Sequence, residues 1–320
     1  MPASPDFLKT IAQLKEQATL PADALQHRLQ QSLDPNYWTG ILPGMTIGVP
    51  LAAPREESGD ADQRLQLSEQ QLRQHGYFNT PAVFSSEATA RLRQAVLTLI
   101  EQDWPPAFVF VFDQFWNLFR GPQVDSFIQG IVGAGYRQVP YVWAHYVSGS
   151  TAGWTPHVDD GFGDTKIALW VPLSDATVDN GCIYLVPRNK VTEDFSRKIQ
   201  EATTFTSGEV IQLLHHAQAL PASPGSLLGW GAEVIHWGSH SKAGAPPRIS
   251  VAVEFVRRDC PETGTYGLSS MEVAEGSPSF ETRLLLIAKN LIQYQSYEPR
   301  VSRYKELAAL LAKRLEASGH

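Results

Sequence analysis

The central part of the chain, residues 141–255, alternates short apolar segments with turn-forming residues. In the last segment, 248–255, polar or small residues alternate strictly with apolar ones, which is typical of a strand with one face against a core. The other apolar segments are residues 141–146, 166–173, 182–187, 226–230 and 234–236. Many short strands separated by turns indicate a β-sandwich or a jelly roll.

Two glycine-containing turns predict how these strands connect. Asp179-Asn180-Gly181 contains Asn-Gly, the strongest short-range hairpin signal, so the strand at 182–187 is expected to return beside the preceding one. Gly231 predicts a second pair, formed by the two short strands that flank it. The sequence therefore predicts two hairpins within the β region.

Helical periodicity lies on both sides of the strands. The predicted helices are residues 7–33 (broken near Pro21), 87–100, 282–293 and 302–317, with a short buried strand at 108–112 and a charged linker at 54–64. The predicted parts are an N-terminal helical extension at 1–65, a main domain at 66–258 with its β core at about 138–258, and a connecting loop with C-terminal helices at 259–320.

Length, charge and cysteine content exclude several classes of protein. A chain of 320 residues can bury one large core with helical additions. The net charge of −7 argues against nucleic acid or an anionic membrane as a partner. No apolar run approaches the length of a membrane span, and the N-terminus lacks the pattern of a signal peptide. Two cysteines provide no disulfide framework, so a cytoplasmic location is expected.

His157-Val158-Asp159 is the first candidate for chemistry. On an extended backbone, residues two apart point to one face, so both side chains can reach one metal ion. Two imidazoles and one carboxylate on one side of a metal are the ligand set of non-haem Fe(II) oxygenases. His236, at the end of an apolar strand, is the expected third ligand, because a rigid element positions a ligand better than a loop does.

Several residues compete for these roles. His240 is the alternative to His236 but falls in a polar loop, and Asp160 is the alternative to Asp159 but does not share the face of His157. His145 is expected to be a core histidine, with a place on the substrate side as the alternative. His215 and His216 are expected to form a solvated surface pair.

Arg248 and Ser250 are the candidates for binding a co-substrate. They share one face of the last strand, and an arginine holds a carboxylate by a bidentate charge-assisted pair. The serine adds a hydroxyl donor to the same carboxylate. Lys166 is the second candidate for this role, with a solvated lysine as the alternative interpretation.

The segment from about residue 141 to 257 resembles the phytanoyl-CoA dioxygenase family of Fe(II)/2-oxoglutarate-dependent oxygenases. The matching pieces are His157-Val158-Asp159, residues 169–173, 180–187, 224–226 and 234–239, and Pro247-Arg248-Ile249-Ser250, with upstream matches at 67–78 and 87–100. The resemblance implies a mainly β fold with flanking helices, built on a double-stranded β-helix (jelly-roll, cupin-like) core. It also implies iron bound by His157, Asp159 and His236, and 2-oxoglutarate bound at Arg248.

The activity implied is hydroxylation of an unactivated carbon of a small-molecule substrate by O2, with decarboxylation of 2-oxoglutarate to succinate and CO2. Halogenases of this superfamily lack the carboxylate ligand, so the presence of Asp159 favours hydroxylation, desaturation or cyclisation. Trp170, Trp230 and Trp237 are candidates for keeping water out of the site. Where the family usually has Pro-Gly-Ser/Thr-His, this chain has Pro187-Arg188-Asn189-Lys190, so substrate identity is not carried over.

Some alternatives stay open. Trp116, Asn117, Phe119 and Arg120 either line the substrate cavity or pack in the core. The flanking helices either support the sheet or form a homodimer contact. The competing functions are a cupin-type metal enzyme that does not use 2-oxoglutarate and a non-catalytic β-barrel that binds a small molecule.

Overall fold

Strands from two antiparallel sheets and a set of flanking helices make up the described part of the chain. A computed structural model describes residues 19–49, 60–149, 153–159, 165–201, 205–260, 271–272, 277–295 and 299–319. Residues 7–18 of the first predicted helix, Asp160, and most of the connection predicted at 259–279 lie outside this part.

The strands, numbered in chain order, are β1 (Tyr77–Ala82), β2 (Arg137–Val147), β3 (Lys166–Pro172), β4 (Ile183–Leu185), β5 (Gln218–Leu220), β6 (Ser226–Gly231), β7 (His236–Gly238), β8 (Arg248–Val256) and β9 (Met271–Glu272). Six of them form one sheet in the order β1-β6-β3-β8-β2-β9, and three form a second sheet in the order β5-β4-β7. Every described strand pair is antiparallel.

The helices are α1 (Ala22–Ser32), α2 (Pro35–Ile41), α3 (Asp60–His75), α4 (Ser86–Glu101), α5 (Asp113–Arg120), α6 (Pro122–Val132), α7 (Glu193–Gln200), α8 (Ser207–His216), α9 (Phe280–Tyr294), α10 (Pro299–Ser302) and α11 (Lys305–Ala317). The helix predicted at 87–100 and both C-terminal helices are confirmed as α4, α9 and α11. Helices nevertheless occupy more of the chain than a mainly β fold implies, and α3 begins inside the segment predicted as a linker.

Side chains on the two faces of the larger sheet have different environments. On β3, Ile167, Leu169 and Val171 belong to the main core, which includes the apolar face of α9. Ala168 and Trp170 point the other way and pack with Ile183 and other residues of the smaller sheet. The helices therefore cover one face of the larger sheet, while the smaller sheet faces the other.

Both predicted hairpins are wrong, because each turn carries the chain from one sheet to the other. After β3, the turn closes on itself: the Cys182 N–H donates to the Thr177 carbonyl, and the Asn180 side chain bonds to Thr177 and Asp175. Gly181 adopts a φ of 92°, a conformation that favours glycine. β4 then pairs with β5 and β7 rather than with β3, and β6 and β7 likewise lie in different sheets.

The predicted strand at 108–112 is also wrong. Residues Pro106–Val111 form a 3₁₀ helix that follows Pro105, and the Phe108 N–H donates to the Pro105 carbonyl. Two successive prolines fix their φ angles near the helical value, so the apolar residues are buried in a helical turn rather than in a strand. Apolar content alone does not distinguish the two structures.

Candidate active site

A short backbone ladder positions the three candidate metal ligands. The His157 N–H donates to the His236 carbonyl at 3.1 Å, and the His236 N–H donates back to the His157 carbonyl at 2.9 Å. Two residues on, the Asp159 N–H donates to the Ala232 carbonyl at 3.1 Å. The ligand atoms of His157, Asp159 and His236 lie within 4.8 Å of one another, as the i, i+2 spacing predicts.

Hydrogen bonds fix which nitrogen of each histidine faces the cluster. Nδ1 lies 2.8 Å from the Thr155 carbonyl in His157 and 3.0 Å from the Val234 carbonyl in His236. Because a carbonyl oxygen only accepts, each Nδ1 carries the proton and each Nε2 is left with a lone pair. Those Nε2 atoms lie 3.9 Å (His157) and 3.5 Å (His236) from Oδ1 of Asp159.

The electrostatics of the cluster suit a metal ion. Burial alone would raise the pKa of Asp159, but His236, Lys166, His157 and a hydrogen bond from the Trp230 indole together lower it. Burial lowers the pKa of His236 to about 4, although Asp159 opposes the shift. At neutral pH the carboxylate is ionised and the imidazole of His236 is neutral, which are the forms that bind metal.

This donor set fits Fe(II). Two imidazole nitrogens and one carboxylate oxygen converge on one point, and the Trp230 N–H holds Oδ2 of Asp159 at 3.1 Å so that Oδ1 faces the histidines. His240 is exposed and lies outside the cluster, so among the described residues His236 is the third member.

Arg248 opens onto the same cavity as the cluster. This cavity has a volume of about 480 Å³, and its lining includes His157, Asp159, His236 and Arg248. Arg248 is 1% exposed, its guanidinium donates to Ser250 Oγ at 3.3 Å, and it lies 5.5 Å from the centre of the Trp170 ring. Arg248 and Ser250 therefore share a face of β8, as the alternation predicts.

The cavity also fits a dicarboxylate such as 2-oxoglutarate. Trp170 lines it, and the indole N–H of this residue is buried without a hydrogen-bond partner in the described part of the chain. A buried donor without a partner is uncommon in a folded protein. Beside the Arg248 guanidinium, it leaves a hydrogen bond for an anionic ligand to complete.

Lys166 is not a solvated lysine. Its Nζ lies 2.6 Å from Oε2 of Glu254, and the two side chains are 5% and 11% exposed. Both residues line the cavity, on the neighbouring strands β3 and β8. The solvated interpretation is wrong because β3 is buried along its whole length.

We expect loss of one partner of this buried pair to destabilise the fold strongly. Glu254→Gln takes the nearest carboxylate from the buried Lys166 ammonium, which costs about 3–5 kcal/mol of the free energy of unfolding. The double variant Lys166→Met/Glu254→Gln, which removes both charges, should recover most of that loss. Urea denaturation measures both effects.

Arg257→Gln is the matched control, because it breaks the exposed pair of Arg257 with Asp259 and should leave the free energy of unfolding nearly unchanged. A Glu254→Gln variant as stable as the parent protein would show that the Lys166–Glu254 pair does not hold the two strands.

Three aromatic residues of the cavity are absent from the sequence-based predictions. The Trp154 ring is close to two histidines, with its centre 6.0 Å from that of His157 and 5.9 Å from that of His145. Tyr294, from the end of α9, lies 5.8 Å from Trp154, and Tyr141 lies on β2. Trp154 could have been predicted as a cavity residue, because it stands three residues before His157. Tyr294 offers no such signal, because it is far from the metal ligands in the sequence.

The tryptophans and the histidine pair named from the sequence lie in different environments. Trp170 and Trp230 line the cavity, but Trp237 stacks on Tyr184 with ring centres 5.6 Å apart and does not line it. His215 and His216 form a ring contact at the end of α8, with His215 exposed.

The aromatic cluster before β2 packs in the main core rather than lining the cavity. Trp116 and Phe119 are buried there, and Arg120 donates to the Gln138 side chain at 3.0 Å.

Arg188, in the loop that departs from the family pattern, pairs with Glu233 at 2.9 Å. It lines a separate cavity of about 270 Å³.

Comparisons with known proteins agree with this geometry. A family model described as phytanoyl-CoA dioxygenase (PhyH) matches residues 122–249, which include His157, Asp159, His236 and Arg248. No curated protein sequence matches the chain. No helix in the described residues is long and apolar enough to cross a membrane.

Solved structures of similar fold include the non-heme alpha ketoglutarate dependent epimerase SnoN from nogalamycin biosynthesis, at 16% identity and a TM-score of 0.50, covering 61% of this chain and 82% of that one. EctD from S. alaskensis with bound Fe is 14% identical with a TM-score of 0.49, covering 67% of this chain and 83% of that one. The resemblance predicted from the sequence is confirmed over residues 122–249, the segment that the phytanoyl-CoA dioxygenase family model matches.

Proposed function

We propose that His157, Asp159 and His236 hold the iron of this Fe(II)/2-oxoglutarate-dependent dioxygenase, and that Arg248 and Ser250 bind its co-substrate. The single observation that carries the proposal is that the three-residue cluster and the buried Arg248 open onto one cavity. A metal-bound co-substrate in that cavity would have a guanidinium within reach of its distal carboxylate.

When bound, the iron supplies activation of O2 coupled to decarboxylation of 2-oxoglutarate to succinate and CO2, and thereby oxidation of the substrate. The protein positions the metal ligands and the co-substrate, and it excludes water from the reacting groups. Nδ1 hydrogen bonds orient both imidazoles, the Trp230 N–H orients Asp159, and Arg248 orients the co-substrate. Trp154, Trp170 and Trp230 line the walls that keep water from the reacting groups.

The proposed substrate is a small molecule whose unactivated carbon is hydroxylated, with desaturation or cyclisation as variants of the same oxidation. A volume of about 480 Å³ lies within the usual range of ligand pockets, about 300–1,000 Å³. Aromatic side chains and a buried ion pair form much of its lining, which is typical of a site that binds a small molecule with a few polar groups.

We propose that the two sheets are the faces of a double-stranded β-helix, supported by the way the chain passes between sheets after β3 and after β6. The division of the chain into an N-terminal extension (1–65), a main domain (66–258) and a C-terminal region (259–320) remains a prediction. A homodimer is also a prediction. A cytoplasmic location is supported by two free, buried cysteines, Cys182 and Cys260.

Succinate formation tests the proposed function. The purified protein, given Fe(II), O2, 2-oxoglutarate and a library of small metabolites, should release succinate, with at least one metabolite stimulating the release. Omitting either Fe(II) or 2-oxoglutarate should abolish it. Oxidation of a library member without any consumption of 2-oxoglutarate would favour a cupin-type enzyme instead.

A further inference from the structure

Resting on the proposed function, we infer that His145 is a third residue of the 2-oxoglutarate site and donates a hydrogen bond to the distal carboxylate. The strand register places it there. In the β2–β8 pair, His145 lies opposite Ser250 and Val147 lies opposite Arg248. Directly opposed residues of an antiparallel pair project to the same side, so His145, Ser250 and Arg248 share one face of the larger sheet.

His145 faces the cavity with hydrogen-bonding capacity unused. It lines the same cavity as Arg248, and its ring makes edge-on contacts with Trp143 (6.4 Å between centres) and Trp154 (5.9 Å). In the described part of the chain, neither ring nitrogen has a hydrogen-bond partner. The side chain is half-buried and lines the cavity, so a ligand in the cavity is the natural candidate for a hydrogen-bond partner.

The protonation state of His145 suits donation to an anion beside an arginine. Burial, and then the charge of Arg248, lower the pKa of His145 well below its usual value, so its imidazole is neutral and carries one N–H. A neutral donor adds a hydrogen bond without adding a second buried cation. Arg248 therefore supplies the charge for the distal carboxylate, while His145 and the Ser250 hydroxyl supply directional donors.

The position of His145 also separates it from the metal cluster. The Trp154 ring is a neighbour of both histidines, with its centre 5.9 Å from that of His145 and 6.0 Å from that of His157, whereas the charged group that acts on His145 is Arg248. His145 is thus displaced from the metal ligands toward Arg248, where the distal end of a metal-bound dicarboxylate would lie. Its effect should depend on that second carboxylate.

Two probes isolate this dependence: 2-oxoglutarate, and 2-oxobutyrate, which keeps the 2-oxo acid group but has no distal carboxylate. Dissociation constants are measured without O2 on the Fe(II)-loaded full-length protein. His145→Phe removes the N–H and keeps an aromatic ring, and we expect it to weaken 2-oxoglutarate binding by roughly tenfold or more. Binding of 2-oxobutyrate should change by less than about twofold, since a carboxylate that is absent loses no hydrogen bond.

His145→Gln keeps an N–H donor and should recover part of the affinity for 2-oxoglutarate. His240→Phe, at an exposed histidine, is the matched control and should change neither constant. If His145→Phe does not fold, the same comparison between probes is made with His145→Gln and His145→Ala.

Unchanged 2-oxoglutarate affinity in His145→Phe, or an equal loss for both probes, overturns the inference while leaving the proposed function intact. A parent protein that binds 2-oxo acids only through unspecific contacts, with no dependence on Fe(II), overturns the proposed function as well.

Discussion

Asp159→Ala and His236→Ala are each expected to abolish turnover and to weaken Fe(II) binding strongly. Each variant removes one of three groups whose ligand atoms converge within 4.8 Å. Of these groups, His236 is buried at the start of β7, held by the backbone ladder to His157. Among the described residues, no other acidic or imidazole group lies in that cluster to take the place of the missing ligand.

Calorimetric titration with Fe(II) in the absence of O2, together with a succinate assay, measures both effects. His240→Ala is the internal control and should retain most of the activity, because its side chain is exposed and outside the cluster. Retention of both Fe(II) affinity and turnover in the Asp159 and His236 variants would mean that the ligands are misassigned.

Arg248→Ala is expected to raise the apparent constant for 2-oxoglutarate by about two orders of magnitude. Removing one partner of a desolvated ion pair costs about 3–5 kcal/mol, and about 1.4 kcal/mol corresponds to tenfold. Arg248→Lys should recover only part of the affinity, since a point charge replaces a planar fork. Ser250→Ala should cost on the order of 1 kcal/mol, the net value of one hydrogen bond.

Steady-state kinetics at varied 2-oxoglutarate, with Fe(II) affinity measured in parallel, checks this prediction. Fe(II) affinity should stay unchanged in all three variants, because neither Arg248 nor Ser250 belongs to the metal cluster. An unchanged 2-oxoglutarate constant in Arg248→Ala would contradict the assignment. Lys166 would then be the next residue to replace, although its pairing with Glu254 makes it a weaker candidate.

The parts of the site that local sequence determines can be predicted. The i, i+2 spacing of His157 and Asp159, and the alternation along β8 that joins Arg248 to Ser250, depend only on the geometry of an extended chain. The sequence alone therefore predicts which of these residues share a strand face. The helices α4, α9 and α11 are predicted for the same reason, since helical periodicity is also local.

The parts that depend on distant pairing cannot be predicted in this way. Asn180-Gly181 has the sequence of a hairpin turn, yet the strands on either side of it join different sheets. The sequence left a solvated Lys166 as an alternative because its partner, Glu254, lies on another strand far along the chain. Likewise, nothing near Tyr294 in the sequence indicates that the end of α9 reaches Trp154.

The most direct test of the proposed site is a titration of the Fe(II)-loaded protein with 2-oxoglutarate in the absence of O2, followed by visible absorption. Chelation of the ferrous ion by a 2-oxo acid produces a charge-transfer band, so its appearance reports co-substrate bound at the metal. We predict saturable formation of one such complex per chain, none in His236→Ala, and a shift of the midpoint to much higher 2-oxoglutarate concentration in Arg248→Ala. Absence of the band in the parent protein, or an identical titration in all three proteins, would contradict the proposed site.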